Sequence, residues 1–226
     1  INQAIENGAV AILTEKKRIK FPKSVTILTS DNVRENFSKA CAKFWPSRPG
    51  FLVAVTGTNG KTSTVEFLRQ IWERNTWNAV SVGTLGIRSS SDLNLPFSSL
   101  TTPPPEYLFS ALNDFSKQNI SYLALEASSH GLAQQRITGL KFQVAVFTNL
   151  GRDHLDYHED IESYFKSKEK LFLNHIEDSG HAVINIDDPF GKKLLDSLKK
   201  RAINIHKFGE HESADFRIES IKPTSY

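Results

Sequence analysis

One segment constrains the fold more than any other: an apolar strand followed at once by a glycine-rich loop and a helix. Phe51–Val55 is a continuous apolar run, which is typical of a strand covered on both faces. The loop Gly57–Ser63 has the sequence G-T-N-G-K-T-S, and apolar residues from Val65 to Trp72 then recur at helical spacing. A strand, a glycine loop and a helix in this order are the context that a phosphate-binding loop requires.

The chemistry of such a loop predicts a nucleotide site. Its backbone N–H groups and the N-terminus of the following helix bind phosphate oxygens. Lys61 is then expected to reach the β- and γ-phosphates, and the Thr62 hydroxyl is expected to ligate Mg²⁺. Val55 stands where the general pattern has its first glycine, so this loop is a shorter version. An ordinary glycine turn is the alternative, and the loop alone fits a kinase, an ATPase or a ligase equally well.

Strands and helices alternate along the rest of the chain. This alternation predicts an α/β fold with a doubly wound, mainly parallel sheet. We expect strands at Ala9–Thr14, Val25–Thr29, Val80–Thr84, Tyr122–Leu125, Phe142–Phe147 and Ala182–Ile186. We expect helices over Ile1–Ile5, Val33–Phe44 (capped by Asp31 or Asn32), Tyr107–Phe115 and Ile161–Phe172, and a loop over Ser89–Thr102.

The domain organisation follows from a break in this pattern. Residues 46–50, with the sequence P-S-R-P-G, predict a linker. Residues 1–45 are then a partial N-terminal domain, and residues 51–226 are an incomplete central domain. The chain has no methionine and opens inside a helical pattern, so we expect it to be a fragment.

Composition excludes several classes of protein. The net charge of +3 is too small to indicate a nucleic-acid or anionic-membrane partner. No apolar run approaches the roughly 18 residues of a membrane span. A single cysteine, Cys41, excludes an internal disulfide framework and a cysteine-rich zinc module. A reducing, cytoplasmic setting is the default.

Polar residues follow two predicted strands, at the edge where an α/β sheet places its active site. Glu126 closes the strand that begins at Tyr122, and a buried carboxylate needs a partner or a metal. A nucleotide-bound Mg²⁺ would supply one, and a cap on the next helix is the alternative. Thr148–His158 follows the next strand and collects Asp, His and Asn side chains, among which His154 is a stronger functional candidate than His158.

Lys168 falls on the apolar stripe of its predicted helix, whereas Lys166 and Lys170 do not. A bare ammonium on a buried face is costly. Lys168 could extend its amine to solvent, which the residues alone favour, pair with a carboxylate, or lose its proton. A neutral amine can also react with CO₂ to give an anionic carbamate that can ligate a metal.

Taken together, these segments resemble the Mur ligases, the ATP-dependent amide-forming enzymes of peptidoglycan precursor synthesis. The resemblance runs over roughly residues 1 to 215. The matching segments are Gly57–Ser63, Leu100–Pro103, Glu126–Leu132, Thr148–Leu150 with Asp153–Asp156, Tyr164-Phe165 with Lys168 and Leu171-Phe172, and Asn185–Pro189. They are most similar to the members that add the third peptide residue, either meso-diaminopimelate or L-lysine, to UDP-N-acetylmuramoyl-L-alanyl-D-glutamate.

The resemblance implies a role for each matching residue. Lys61, His154 and a carbamylated Lys168 would be catalytic, and Thr62, Glu126, His154 and Lys168 would ligate Mg²⁺. The ATP-binding residues would be Gly57, Thr58, Asn59, Gly60, Lys61, Thr62, Ser63 and Asn185. The residues in contact with the muramoyl acceptor would be Thr101, Thr102, Ser128, Gln134 and Arg136.

The implied reaction forms an acyl phosphate on the acceptor, which the amine of the incoming amino acid then attacks. Three alternatives stay open: folylpolyglutamate synthase, a Mur ligase for another peptide position, and a nucleotide-binding module without catalysis. We expect the family's C-terminal domain, which recognises the amino acid, to lie outside this segment. We therefore expect the segment alone to be inactive, and the sequence does not distinguish diaminopimelate from lysine.

Overall fold

The computed structural model describes residues 2–15, 24–91, 93, 98–153 and 157–222. The helices are α1 Asn2–Glu6, α2 Val33–Phe44, α3 Lys61–Arg74, α4 Pro105–Lys117, α5 Ser129–Ala133, α6 Ile161–Asn174 and α7 Pro189–Leu198. The strands are β1 Ala11–Thr14, β2 Thr26–Thr29, β3 Phe51–Thr56, β4 Ala79–Gly83, β5 Gly86–Arg88, β6 Tyr122–Glu126, β7 Phe142–Phe147, β8 Ile176–Asn185, β9 Asn204–Gly209 and β10 Phe216–Arg217.

Eight strands form one sheet in the order β10-β9-β8-β7-β3-β6-β4-β5. All neighbours in this sheet are parallel except β4 and β5, which form an antiparallel pair at one edge. The strand before the phosphate loop, β3, lies between β6 and β7. The mainly parallel α/β fold predicted from the sequence is therefore confirmed.

Both faces of the sheet are covered, as the apolar run of β3 predicted. Leu52 and Ala54 belong to the larger core, with side chains from α4, α6 and α7. Val53 and Val55 belong to a second core, with Val65 and Trp72 of α3. Successive strand residues point to opposite faces, so a strand between two helical layers must be apolar throughout.

The N-terminal segment packs against the main sheet's helical layer. Strands β1 and β2 form a separate two-stranded parallel sheet. Helix α2, capped by Asn32 as predicted, packs against α4 and contributes Cys41 to the larger core. The fully buried Ser38 donates from its hydroxyl to the carbonyl oxygen of Thr138 at 2.8 Å. Helix α2 is thus anchored on the loop that follows α5.

Several elements were not predicted. The short β5, β9 and β10 and the short helix α5 have too few periodic apolar residues to be recognised. Helix α7 was missed although Phe190, Leu194 and Leu198 recur at helical spacing after the N-cap Asp188. Strand β8 begins at Ile176 rather than at the predicted Ala182. Its first half contains a polar run and Ser179 with φ 68°, and its pairing with β7 shifts register there, so the sequence resembles a turn.

The structure describes seven helices, and each is too short or too polar to cross a membrane.

We predict that Gly191→Ala destabilises the fold although alanine is the better helix former. A Cβ on Gly191 of α7 would lie 1.8 Å from the carbonyl oxygen of Asn185, so the helix must move away from β8. Such overpacking typically costs about 1–3 kcal/mol of unfolding free energy. Urea unfolding measures the change.

Gly50→Ala is the matched control, because a Cβ there meets no atom within 4 Å and the residue does not have a positive φ. Its unfolding free energy should stay within about 0.5 kcal/mol of the parent chain. A Gly191→Ala chain as stable as this control would contradict the packing described for α7.

Candidate active site

The candidate active site is a cavity of about 430 Å³ at the carboxyl ends of β3 and β6. Its lining comprises Thr58, Asn59, Gly60, Lys61, Thr62, Ser63, Thr84, Thr101, Glu126, Ser128, Ser129, Asp153, Tyr164 and Lys168. The loop, the acidic segment and the lysine helix therefore meet, as expected when adjacent parallel strands end at the same edge of a sheet.

The phosphate loop depends on two glycines. Gly57 has φ 154°, and a Cβ on it would lie 1.9 Å from the Thr148 hydroxyl oxygen. Gly60 has φ 83° and is the N-cap of α3, where no side chain caps the helix. The N-terminal N–H groups of α3 are thus left to a ligand, which is how such loops bind phosphate.

The segment after β7 holds the loop from the other side. The N–H of Thr58 donates to the carbonyl oxygen of Asn149, and the N–H of Asn59 donates to the Asn149 side-chain oxygen, both at 2.9 Å. The Thr148 hydroxyl donates to the carbonyl oxygen of Asn59 at 2.6 Å. The loop therefore has a fixed shape that this second segment imposes.

Two lysines converge on one carbonyl of this loop. The Nζ of Lys61 donates to the carbonyl oxygens of Gly57 at 2.9 Å and Thr58 at 2.8 Å. The Nζ of Lys168 donates to the same Gly57 oxygen at 2.8 Å. Two like charges this close repel each other, and burial removes the water that would screen them.

A positive charge is more costly on Lys168 than on Lys61, because Lys168 is the more buried. Lys168 is 1% exposed, so its amine does not reach solvent. The interpretation that the residues alone favoured, an amine extended to solvent, is therefore wrong. Burial first, and the charge of Lys61 second, hold the pKa of Lys168 well below its ordinary value, although Asp153 opposes this. Burial also lowers the pKa of Lys61, while Glu126 and Asp153 raise it. Lys168 is therefore the better candidate for a neutral amine.

Glu126 is a buried carboxylate on the cavity wall. It is 1% exposed and accepts hydrogen bonds from the N–H of Thr84 at 2.9 Å and its hydroxyl at 3.2 Å. Gly83 makes room for it, because a Cβ there would lie 2.1 Å from a Glu126 carboxylate oxygen. The alternative that Glu126 caps the next helix is wrong, since Ser128 is the N-cap of α5.

A Mg²⁺ site was predicted from Thr62, Glu126, His154 and Lys168. Among the residues that the structure describes, no group of three or more His, Cys, Asp or Glu side chains is placed to hold a metal. Thr62 and Glu126 both line the cavity. Hard oxygen donors of these two kinds suit Mg²⁺, which completes its shell with water and phosphate oxygens.

The predicted acceptor residues fall into two groups. Thr101 and Ser128 line the cavity, whereas Gln134 and Arg136 line a separate groove of about 200 Å³. Thr102 is 1% exposed and its hydroxyl bonds the protein, donating to the carbonyl oxygen of Glu126 at 2.7 Å and accepting from the N–H of Ser128 at 2.9 Å. Its side chain thus positions Ser128.

The groove is tied to the cavity through the carbonyl oxygen of Thr102, which accepts from a terminal nitrogen of Arg136 at 2.6 Å. The guanidinium also donates to the Gln134 side-chain oxygen at 2.7 Å and 3.1 Å. Arg34 of α2 lines the same groove. The N-terminal segment therefore contributes to the surface on which the acceptor was predicted to lie.

Besides the acceptor residues, the predictions for Asn185 and His154 need separate description. Asn185 donates to the carbonyl oxygen of Thr148 at 2.8 Å and accepts from the N–H of Asp187 at 3.0 Å, which places it behind the phosphate loop. His154 lies outside the described residues. The weaker candidate, His158, is buried between the rings of His130 and Tyr164.

Sequence reasoning assigned no role to four residues of the cavity wall: Thr84, Ser129, Asp153 and Tyr164. Thr84 directly follows β4, so its place at the carboxyl end of a strand was an available signal. Ser129, Asp153 and Tyr164 lie in segments that carry the resemblance, which was the signal for them.

Comparison with known proteins gives consistent matches. Residues 55–226 match the model of the Mur ligase middle domain. The chain is 38% identical over 208 residues to the UDP-N-acetylmuramoyl-L-alanyl-D-glutamate--2,6-diaminopimelate ligase of Mesorhizobium japonicum, covering 92% of this chain and 43% of that protein. It is 39% identical over 214 residues to the protein of the same name from Zymomonas mobilis, covering 95% and 43%.

A solved structure of a UDP-N-acetylmuramoyl-L-alanyl-D-glutamate--2,6-diaminopimelate ligase superposes with a TM-score of 0.81 at 30% identity, covering 95% of this chain and 43% of that one. The chain thus spans less than half the length of the relatives it matches. The family model covers most of the chain, and the cavity is built from the segments that carried the resemblance. The chain belongs to the Mur ligase family, and residues 55–226 are its Mur ligase middle domain.

Proposed function

We propose that this chain is the ATP-binding part of a ligase that joins 2,6-diaminopimelate to UDP-N-acetylmuramoyl-L-alanyl-D-glutamate. The proposal depends on one observation above all: Lys61 and Lys168 meet at the Gly57 carbonyl, in a cavity that Glu126 borders. A site for two reacting anions, a triphosphate and a carboxylate, needs a cationic group and ligands for Mg²⁺. Lys61 would supply the cation, and Glu126 and a carbamylated Lys168 would supply oxygen ligands.

The names of the relatives support the substrate. Both ligases described above are named for 2,6-diaminopimelate. We therefore favour meso-diaminopimelate, with L-lysine as the alternative amino acid. We propose a cytoplasmic location, because ATP and UDP-linked precursors are cytoplasmic. The domain division at residues 46–50 also remains our proposal, with residues 1–45 as part of a domain for the UDP group.

ATP would bind with its phosphates on the loop. The N-terminal N–H groups of α3 and the Nζ of Lys61 are the donors that the chain offers. Thr62 and Glu126 would hold Mg²⁺, and His154 and a carbamylated Lys168 would serve a second ion. When bound, Mg²⁺ offsets phosphate charge and so reduces the repulsion between the two anions.

The reaction would proceed in two steps. A carboxylate oxygen of the acceptor attacks the γ-phosphorus, the bond to ADP breaks, and an acyl phosphate forms. The amine of the amino acid then attacks the acyl carbon, phosphate leaves, and the amine loses a proton. Lys61 and Arg136 would stabilise the anionic groups that approach in the first step.

Carbamylation of Lys168 is part of this proposal. A buried amine with a lowered pKa is unprotonated, and therefore nucleophilic, over a wider pH range than an ordinary lysine, which favours addition of CO₂. The resulting carbamate is an anion, so the ammonium of Lys61 would attract it instead of repelling a second ammonium. It would then be an oxygen ligand in the cavity that Glu126 also lines.

One experiment distinguishes the proposed function from its three alternatives: folylpolyglutamate synthase, another Mur ligase and a non-catalytic binding module. The full-length gene product is given ATP and Mg²⁺, and phosphate release is measured with each acceptor. We expect release that requires both the UDP-muramoyl-dipeptide and meso-diaminopimelate. Release with L-lysine instead would correct the amino acid, and release with a pteroyl-glutamate acceptor would contradict the proposal. ATP binding without phosphate release in the presence of any acceptor would support the non-catalytic binding module.

We predict that Glu126→Gln lowers kcat roughly 100-fold, since it keeps the shape but removes the charge that a cation needs. The Mg²⁺ concentration for half-maximal activity should rise together with this loss. Glu162→Gln is the control, because it makes the same change in charge outside the cavity. Glu162 lies on the surface of α6, where it pairs with Lys193. Equal activities of the two variants would exclude Glu126 as a cation ligand.

We predict that Lys168→Met abolishes turnover without rescue by bicarbonate and also flattens the pH dependence of stability. Between the lowered folded-state pKa and the ordinary value, the unfolded chain binds a proton that the folded chain does not. Stability due to Lys168 therefore rises with pH in this window, by up to about 1.4 kcal/mol per pH unit.

Unfolding free energies measured at about pH 8.5 and about pH 10 in CO₂-depleted buffer test the second part, since both values lie below the unfolded pKa. The parent chain should gain more stability than the variant over this interval. The same gain in both chains would show that Lys168 keeps its proton when folded.

A further inference from the structure

Tyr164 is a fully buried phenol that the proposed reaction does not use. It lies on α6 one helical turn before Lys168, and none of its surface is exposed. A buried hydroxyl is costly unless it is hydrogen bonded. Its oxygen lies 3.2 Å from the Thr58 hydroxyl oxygen, so α6 contacts the phosphate loop directly.

The Thr58 hydroxyl is contacted from two sides. The N–H of Gly151 donates to its oxygen at 2.8 Å, and the Tyr164 hydroxyl lies 3.2 Å from the same oxygen, where either hydroxyl can be the donor. Burial raises the pKa of the Tyr164 phenol, so the proton is retained. One oxygen of the loop thus joins the segment after β7 to α6.

The ring of the same residue borders Lys168. The Nζ of Lys168 lies 4.3 Å from the centroid of the Tyr164 ring and donates to Gly57 at 2.8 Å. Thr58 and Gly57 are consecutive residues of the loop. One side chain therefore contacts the loop through its hydroxyl and the buried lysine through its ring.

We propose that Tyr164 is a positioning residue: its hydroxyl fixes the phosphate loop at Thr58, and its ring directs Lys168 toward the Gly57 carbonyl. It acts on the nucleotide through Thr58 and on the reacting groups through Lys168. The second half rests on the proposed ligase function. The first half requires only that the loop binds a nucleotide.

A double-mutant cycle tests the hydroxyl in the full-length gene product, with ATP and Mg²⁺ titrated in the absence of any acceptor. Y164F should weaken ATP binding about tenfold. T58V should weaken it at least as much, and the double variant should bind like T58V alone, because both changes remove the same bond. Losses that add, or unchanged binding by Y164F, would overturn the proposal.

Two further variants distinguish a positioning role of Tyr164 from a general loss of structure. T58S keeps a hydroxyl for Tyr164 and should bind ATP like the parent. Y122F removes a phenol hydroxyl at the opposite end of β6 from Glu126, where the ring stacks on Trp77, and should change nothing. A Y164F protein that loses its cooperative thermal transition would show a structural role and would also overturn the proposal.

Turnover tests the ring. Y164F should raise KM for ATP while kcat stays within about threefold, because its ring still borders Lys168. Y164L should lose kcat as well, and equal kcat in the two variants would contradict the role of the ring. If the parent binds ATP but turns over no acceptor, the ligase proposal fails while the binding cycle still tests the hydroxyl.

Discussion

The site depends on a single backbone carbonyl, that of Gly57, which accepts hydrogen bonds from both Lys61 and Lys168. No side chain fits on this residue, because the Thr148 hydroxyl fills the space that a Cβ would need. The repulsion between the two amines is resolved most simply when one of them is neutral, and Lys168 is the more buried. The unusual lysine is thus a consequence of where α6 and the loop meet.

The sheet creates this meeting point. Strand β3 has β6 on one side and β7 on the other, so the loop, Glu126 and the Thr148 segment end at the same edge. Thr102 connects this edge to the neighbouring groove, since its hydroxyl bonds Glu126 and Ser128 while its carbonyl accepts from Arg136. A change in the groove can therefore reach the cavity through one residue.

The sequence predicted the parts of the site that lie at strand ends or on a helical stripe. The loop, Glu126 and Lys168 were found because parallel strands place their carboxyl ends together and because Lys168 interrupts an apolar face. The internal bonding of Thr102 was not found, because it depends on contacts between distant segments. Thr84 was missed although it directly follows a strand. The structure places these residues but does not test what they do, so the roles of all the site residues, including His154 and Asn185, stay predictions.

The burial of the Lys168 amine depends on tertiary structure and does not follow from the apolar periodicity of α6. A lysine on an apolar stripe usually extends its amine to water. Here the ring of Tyr164 and the loop enclose it. The periodicity of α6 placed the side chain correctly but contained no information about what covers it.

The state of Lys168 is tested most directly by ¹³C NMR of the full-length gene product in ¹³C-bicarbonate, with Lys168→Met as the reference. We expect a protein-bound carbamate signal in the parent protein and none in the variant. The absence of any difference, in a parent protein that binds ATP, would contradict the neutral, CO₂-reactive lysine on which the proposed site depends.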